Sequence, residues 1–97
     1  MHIDFIHPSE IELEDAYNYY EDQSPGLGIK FLEDFRTCLN VITTNPTLWA
    51  KVGKRTRKTL FKKFPFFILY IPEKDSIHIT CIAHQHRNPE YFWGRQI

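Results

Sequence analysis

The stretch FPFFILYIPEKDSIHITCIAH, residues 64–84, decides the fold. It opens with a continuous apolar run from Phe66 to Ile71, which is typical of a central strand buried on both faces. The segment Pro72 to Ser76 has the composition of a tight turn. Apolar and polar residues then alternate, which predicts a second strand with one apolar face made of Ile77, Ile79, Cys81 and Ala83. The sequence therefore predicts an antiparallel hairpin.

A basic segment precedes this hairpin. Residues Thr56 to Phe64 have the pattern of a further strand, and bases are expected on both of its faces. One face would carry Lys58 and Lys62, and the other Arg57 and Lys63.

Two helices are predicted upstream, after a short strand from His2 to Ile6. The first helix opens at Ser9, which we expect to act as an N-cap, with Glu12 completing a capping box. The second helix runs from about Leu27 to Thr43. Its apolar stripe comprises Ile29, Leu32, Phe35, Leu39 and Ile42, with Cys38 beside it.

The linker Ser24-Pro25-Gly26 ends the first helix, and its shortness favours an antiparallel helix pair. Gly26-Leu27-Gly28 also matches a phosphate-binding G-x-G, but no strand precedes it, so we interpret it as helix-linker geometry. The whole pattern predicts one α+β domain over residues 1–97, in the order β-α-α-β-β-β. An antiparallel sheet would carry the helical hairpin on one face.

Charge is sorted along the chain although the net charge is zero. Residues 1–34 hold nine acids and one base, residues 35–72 hold eight bases and no acid, and residues 73–97 hold three of each. Seven of the twelve Lys and Arg residues fall between positions 51 and 63. Such a segment attracts phosphates or carboxylates, or it is an ordinary solvated face. We expect these bases to be left uncovered by the acidic first helix.

Several classes of protein are disfavoured by the sequence. No apolar run is long enough to span a bilayer, and the first residues lack the pattern of a signal peptide, so a cytoplasmic location is expected. Cys38 and Cys81 have no disulfide or metal spacing, and we expect both to be reduced, buried thiols. A period of two would place His78, His84 and His86 on one strand face, but no acid or cysteine completes a metal site there. No metal or cofactor is expected.

Three sequence segments, taken in their order along the chain, resemble the RelE/ParE superfamily of bacterial toxins. They are AYNYYEDQSPGLGIKFLEDF, NPTLWAKVGKRTRKTLFKKFPFFILYI and IAHQHRNPEYFWGR. These segments are more similar to the ParE-like, plasmid-stabilisation branch than to the mRNA-cleaving RelE branch. The resemblance implies the toxin half of a type II toxin–antitoxin pair that acts by binding DNA gyrase. The target-binding residues would be Arg55, Arg57, Lys58, Lys62, Lys63, His86, Arg87 and Tyr91.

The resemblance also implies a small antitoxin encoded beside the toxin. Such a partner would fold onto the toxin and cover a large surface. The chain offers two such surfaces. One is the groove beside the helical hairpin, where we expect the apolar stripe of the second helix to be incompletely covered, and the other is the basic sheet, which would accept acidic side chains. The antitoxin-binding residues would be Ile29, Leu32, Phe35 and Leu39.

A second interpretation is a ribosome-dependent mRNA endonuclease. Such an enzyme needs a general base, a general acid and cations around the phosphate. The candidate catalytic residues are Arg57, Lys62, Lys63, His84, His86, Arg87 and Tyr91. The strand Phe66 to Ile71 carries no base where the RelE branch tends to have an arginine, which weakens this interpretation. A third is a degenerate toxin that only binds an antitoxin.

Overall fold

The computed structural model describes residues 1–95. Two helices and four strands follow one another in the predicted order, and two short 3-10 turns end the described chain. The elements are β1 (His2–Phe5), α1 (Ser9–Gln23), α2 (Leu27–Thr44), β2 (Arg57–Leu60), β3 (Phe66–Pro72), β4 (Ser76–His84) and the turns Pro89–Tyr91 and Trp93–Arg95. The α+β prediction with a helical hairpin is confirmed. Residues 96 and 97 of the predicted domain lie outside this description.

The sheet has the strand order β1-β4-β3-β2. β3 pairs antiparallel with β2 and with β4, as the hairpin pattern predicts. β1 pairs with β4 in parallel, and His2 lies opposite Ser76. The sheet is therefore mixed, whereas the sequence predicted an antiparallel one. Alternation along a strand indicates which face of the sheet each residue occupies. It does not indicate whether the strand runs parallel or antiparallel to a neighbouring strand more than seventy positions away in the sequence.

The helical hairpin packs on one face of the sheet and forms the main core. From α2 this core takes Phe31, Phe35 and Ile42, which pack against strand residues including Ile68, Tyr70, Ile77, Ile79 and Ile82. A smaller cluster forms from Phe67, Leu69, Cys81, Ala83 and Phe92. The alternate residues of β3 thus belong to two different clusters, which explains why its apolar run is continuous.

A β-bulge in β4 breaks the predicted alternation. Leu69 lies opposite Cys81 and Tyr70 lies opposite Ile79, so Thr80 is an extra residue with no partner position in the register. Ile77 and Ile79 consequently pack in the main core, whereas Cys81 and Ala83 pack in the smaller cluster. The prediction of one apolar face along the whole strand is wrong because the bulge reverses the faces.

The predicted capping box at the start of α1 is also wrong. Pro8 is the N-cap, and no side chain caps the helix. The Ser9 hydroxyl instead donates to the Ile79 carbonyl oxygen at 2.9 Å. Ser9 therefore fastens α1 to β4, and Glu12 is free to bond elsewhere.

The linker between the helices has the predicted helix-linker geometry. Gly26 has φ +89°, a left-handed conformation that favours glycine. A Cβ atom on Gly28 would lie 2.8 Å from Cε1 of Tyr17, so this glycine lets the two helices approach closely. The carboxylate of Glu21 accepts hydrogen bonds from the backbone N–H groups of both glycines. An internal carboxylate thus occupies the N-terminus of α2 where the phosphate interpretation would have placed an anion.

Neither of the two helices described within residues 1–95 is long and apolar enough to cross a membrane.

Candidate functional site

The basic segment of residues 51–63 is divided between a strand and a turn. β2 ends at Leu60, so the predicted strand to Phe64 is too long. Lys62 and Lys63 therefore do not belong to opposite strand faces but to the turn between β2 and β3. The reason lies in Asp34 of α2, which the sequence analysis did not single out.

Asp34 organises this turn. Its buried carboxylate, in a residue only 4% exposed, accepts hydrogen bonds from three consecutive backbone N–H groups. The N···O distances are 3.3 Å from Lys62, 2.8 Å from Lys63 and 2.9 Å from Phe64. Consecutive N–H groups that converge in this way form an anion-binding concavity. The carboxylate holds the turn against α2, while the side chains of both lysines are exposed.

The bases of β2 and its approach have local partners. Arg55 pairs with Glu73 at 2.6 Å, an exposed contact. Arg57 donates from Nη1 to the carbonyl oxygens of Thr47 and Trp49, so its guanidinium ties down the preceding loop. The ammonium of Lys58 lies 4.5 Å from the ring centroid of Phe67 in the smaller cluster. These three bases contribute charge, and they also have structural contacts that Lys62 and Lys63 lack among the described interactions.

The acidic first helix leaves the basic segment uncovered. Among the ion pairs within residues 1–95, none joins Arg57, Lys58, Lys62 or Lys63 to an acid of α1. Glu10 pairs with His7. The expectation that these bases are not neutralised by α1 is confirmed.

Glu12 is the hub of a second cluster that the sequence analysis missed. Its side chain is 7% exposed and accepts from Arg95 Nη1 at 2.9 Å, from the Ile82 backbone N–H at 3.0 Å and from the Tyr91 hydroxyl. Arg95 Nη1 also donates to the Thr80 carbonyl oxygen. These bonds occupy backbone hydrogen-bonding groups along the edge of β4 that β1 does not reach. The two 3-10 turns, Pro89–Tyr91 and Trp93–Arg95, are thereby fastened to α1 and to the sheet.

The Tyr91 ring lies close to two guanidinium groups. The Arg87 guanidinium carbon lies 3.8 Å from the Tyr91 ring centroid, and that of Arg95 lies 4.8 Å from it. Burial raises the pKa of Tyr91, and the hydrogen bond to Glu12 raises it further. A phenol that keeps its proton at neutral pH and donates it to a carboxylate is a poor general base.

A cleft of about 250 Å³ opens beside this cluster. Its lining includes Glu12, Asp15, Phe66, His84, Arg87 and Tyr91. The His84 ring packs edge-on against Phe66, with centroids 5.4 Å apart. His84 Nδ1 accepts the His86 backbone N–H at 3.0 Å, so the proton of a neutral His84 ring resides on Nε2.

The three histidines do not share one face as predicted. His78 precedes the bulge and contacts Asp4 through Nδ1 at 3.1 Å, whereas His84 follows the bulge and packs against Phe66 of the main core. β4 ends at His84, which leaves His86 in the following turn. Within the described part of the chain, no group of three or more His, Cys, Asp or Glu residues is arranged to hold a metal ion.

One end of the sheet brings together part of the candidate set. Phe66 lies opposite His84, and the Gln85 N–H donates to the Pro65 carbonyl oxygen at 2.8 Å. The turn with Lys62 and Lys63 therefore adjoins the turn with His86 and Arg87. Arg57 pairs with Tyr70, four residues further along β3, or roughly 13 Å from this end.

The residues of the predicted antitoxin surface differ in exposure. Ile29 is 50% exposed, and Leu32 and Leu39 are partly buried against the core. Phe35 is only 6% exposed and packs against Phe5 and Phe61. The accessible part of the stripe therefore consists of Ile29 and the edges of the two leucines.

Both cysteines are buried free thiols in separate clusters. Burial raises the pKa of Cys38 to about 11 and that of Cys81 to about 12. Thiols with such pKa values are largely protonated at neutral pH, and the thiolate is the reactive form.

A search of solved structures finds the same arrangement of helices and strands. A chain described as "Chromosomal ParDE TA system from P. aeruginosa" superposes with a TM-score of 0.72, covering 87% of this chain and 95% of that one. The fold is that of this ParDE chain. Sequence identity is 16%, so the likeness is one of fold. The predicted RelE/ParE-like architecture is confirmed.

Comparisons of the amino-acid sequence find no match. No family model matches the chain. No curated protein matches it either. The structural match to the ParDE chain therefore supports the fold, whereas the assignment of the site depends on the side-chain contacts described above.

Proposed function

We propose that this chain is the toxin component of a type II toxin–antitoxin pair, ParE-like and of the plasmid-stabilisation kind. The observation that carries the proposal is the ParDE fold over nearly the whole chain, combined with a basic turn that no acid of α1 covers. Its place of action would be the bacterial cytoplasm, and its partner would be a small antitoxin encoded beside it.

The proposed target is DNA gyrase, and the proposed mode of action is binding. Lys62 and Lys63 are the central residues of the target-binding surface, because their ammonium groups are exposed and the turn that carries them is held in place by Asp34. His86 and Arg87 adjoin them at the same end of the sheet. Arg55, Arg57 and Lys58 would extend the surface along β2.

An mRNA endonuclease is the second candidate, and one observation favours it. His84 and His86 have ring centroids 5.4 Å apart and lie next to Arg87 and the lysine turn, which is a suitable set for acid–base chemistry at a phosphate. Two observations weigh against it. The Tyr91 phenol donates to Glu12, and the Arg57 guanidinium is engaged by two carbonyl oxygens at a distance from the histidines.

The antitoxin would bind the exposed part of the α2 stripe around Ile29, Leu32 and Leu39. Phe35 would support that surface from the core rather than touch the partner, since it is almost fully buried.

The deciding experiment is induction of the protein in bacteria beside two assays of the purified protein. We expect growth arrest with DNA damage and filamentation, inhibition in a gyrase supercoiling assay, and no activity in a translation-coupled mRNA cleavage assay. Cleaved mRNA with unaffected supercoiling would favour the endonuclease. No growth effect would leave only the degenerate, antitoxin-binding role.

A charge-reversal variant tests the site. Replacing both Lys62 and Lys63 by Glu should abolish toxicity and leave much of the antitoxin affinity, because the antitoxin surface is mainly apolar. The matched control replaces Lys51 and Lys54 by Glu, which makes the same change of charge in the same basic segment but outside the turn. Full toxicity of the first variant would remove the turn from the target-binding surface.

A further inference from the structure

A groove lies between α2 and the β2–β3 turn, and it includes Lys62 and Lys63 of the proposed target-binding surface. Its volume is about 440 Å³, larger than that of the cleft beside Glu12. Its lining comprises Lys30, Glu33, Asp34, Thr37, Lys62, Lys63 and Phe64. Three of these seven residues are lysines that converge from a helix and a turn.

The backbone N–H groups at the bottom of this groove are already hydrogen-bonded to a carboxylate of the same chain. The Asp34 carboxylate fills the anion-binding concavity formed by the three backbone N–H groups of the turn. An incoming anion therefore meets the lysine ammonium groups and not the backbone amides. Asp34 is buried, so the exposed charges of the lining are those of Lys30, Lys62, Lys63 and Glu33.

The groove also has an apolar component. Phe64 is half-buried and packs against the core through Tyr20 and Phe31. The alkyl stems of lysine side chains add apolar surface beneath their charged ends. A ligand that combines carboxylates with an apolar group would satisfy both components.

We propose that this groove binds an acidic peptide segment of the target protein. Its carboxylates would contact Lys30, Lys62 and Lys63, and an apolar side chain would lie against Phe64. The source of the peptide rests on the proposed function, whereas the chemistry of the site rests on the groove alone.

A peptide fits this surface better than a nucleic-acid backbone does. Glu33, an exposed acid, lies in the lining beside the lysines. A phosphate backbone carries charge at every nucleotide and would meet repulsion there. A peptide can place its carboxylates at the lysines and leave uncharged residues near Glu33.

The experiment uses the purified protein and three probes: a short peptide of Glu and Leu, the same peptide with Gln for Glu, and a short duplex DNA. Amide chemical shifts are followed during titration at low salt. We expect the Glu peptide to perturb the amides of residues 30–37 and 62–64 and to bind more tightly than the other two probes. Replacing Lys62 and Lys63 by Gln should weaken it about fivefold to tenfold. The same change at Lys51 and Lys54 should have less than a twofold effect.

Two results would overturn the proposal. One is tighter binding of the DNA than of the Glu peptide at these amides. The other is equal weakening by the two pairs of Gln substitutions, which would indicate diffuse attraction to the whole basic segment. Growth is not measured in this titration, so a failure of the groove and a failure of the toxin function are separable. Thermal unfolding of both variants verifies that the fold is retained.

Discussion

At the scale of single residues, Asp34 and Glu12 organise the two halves of the candidate surface. Each is a nearly buried carboxylate on a helix that satisfies donors from distant parts of the chain. Asp34 fixes the lysine turn, and Glu12 fixes Tyr91 and Arg95. The helical pattern does not mark Asp34, and it marks Glu12 only for a capping box that does not form, because the donors they serve lie 28 to 83 residues further along the sequence.

Replacing Asp34 by Ala should lower the free energy of unfolding by about 2–4 kcal/mol, since three backbone N–H groups lose their acceptor. Denaturant unfolding measures this change. Glu33→Ala is the control, because Glu33 is the exposed neighbour, and its effect should stay within about 0.5 kcal/mol. Equal effects of the two substitutions would show that the turn is not held by Asp34.

The buried thiols predict an alkaline loss of stability. In the unfolded chain both cysteines ionise around pH 9, whereas in the folded chain their pKa values are about 11 and about 12. The folded state binds more protons above pH 9, so the free energy of unfolding should fall as pH rises from 9 toward 11. Replacing both cysteines by Ala should flatten this fall. Native protein at neutral pH should also resist thiol reagents, and rapid labelling of either cysteine would contradict the assignment.

At the scale of elements, the C-terminal segment acts as a clasp that joins α1 to β4. Phe92 packs in the smaller cluster while Tyr91 and Arg95 reach Glu12 on the other side of the strand edge. The bulge at Thr80 makes this possible, because it directs Cys81 and Ala83 toward Phe92 and leaves the Thr80 carbonyl oxygen to Arg95.

Tyr91→Phe should loosen this clasp while keeping the aromatic ring against Arg87. We expect a loss of about 1 kcal/mol in stability and faster hydrogen exchange at residues 89–95, with little change in α2. Tyr19→Phe is the matched control, because Tyr19 is 60% exposed. Unchanged exchange in the C-terminal segment would show that the Glu12 bond does not hold it.

At the scale of the whole molecule, the charge sorting of the sequence becomes a separation of surfaces. The exposed apolar side chain of Ile29 on α2 and the lysine turn held against α2 by Asp34 differ in chemistry, so two partners would make different contacts there. Binding to the proposed antitoxin should weaken only modestly between low and physiological salt, because its contacts with the exposed part of the α2 stripe would be mainly apolar. Binding to the target should weaken much more steeply, because exposed charges are screened. Titrations of both partners at two salt concentrations measure this difference, and equal salt dependence would contradict it.

The sequence predicts the fold wherever contacts are local in the chain. The hairpin of β3 and β4, the helix pair and the continuous apolar run of β3 follow from periodicity and turn chemistry. Periodicity does not report the parallel entry of β1 or the extra residue at Thr80, since both depend on the register with another strand. The candidate site follows the same division. The basic residues are visible in the sequence, but the carboxylates that position them are visible only once the chain is folded.

The pairing of β1 with β4 has a consequence for synthesis on the ribosome. The first strand has no neighbour in the described sheet other than the last one, and His2 meets Ser76. A nascent chain that stalls before β4 emerges holds two helices whose apolar faces have no complete sheet to cover them. Such a fragment would be handled by chaperones and proteases rather than act on a target. Any harm that the folded protein does to its cell is thus withheld until β4 has been synthesised.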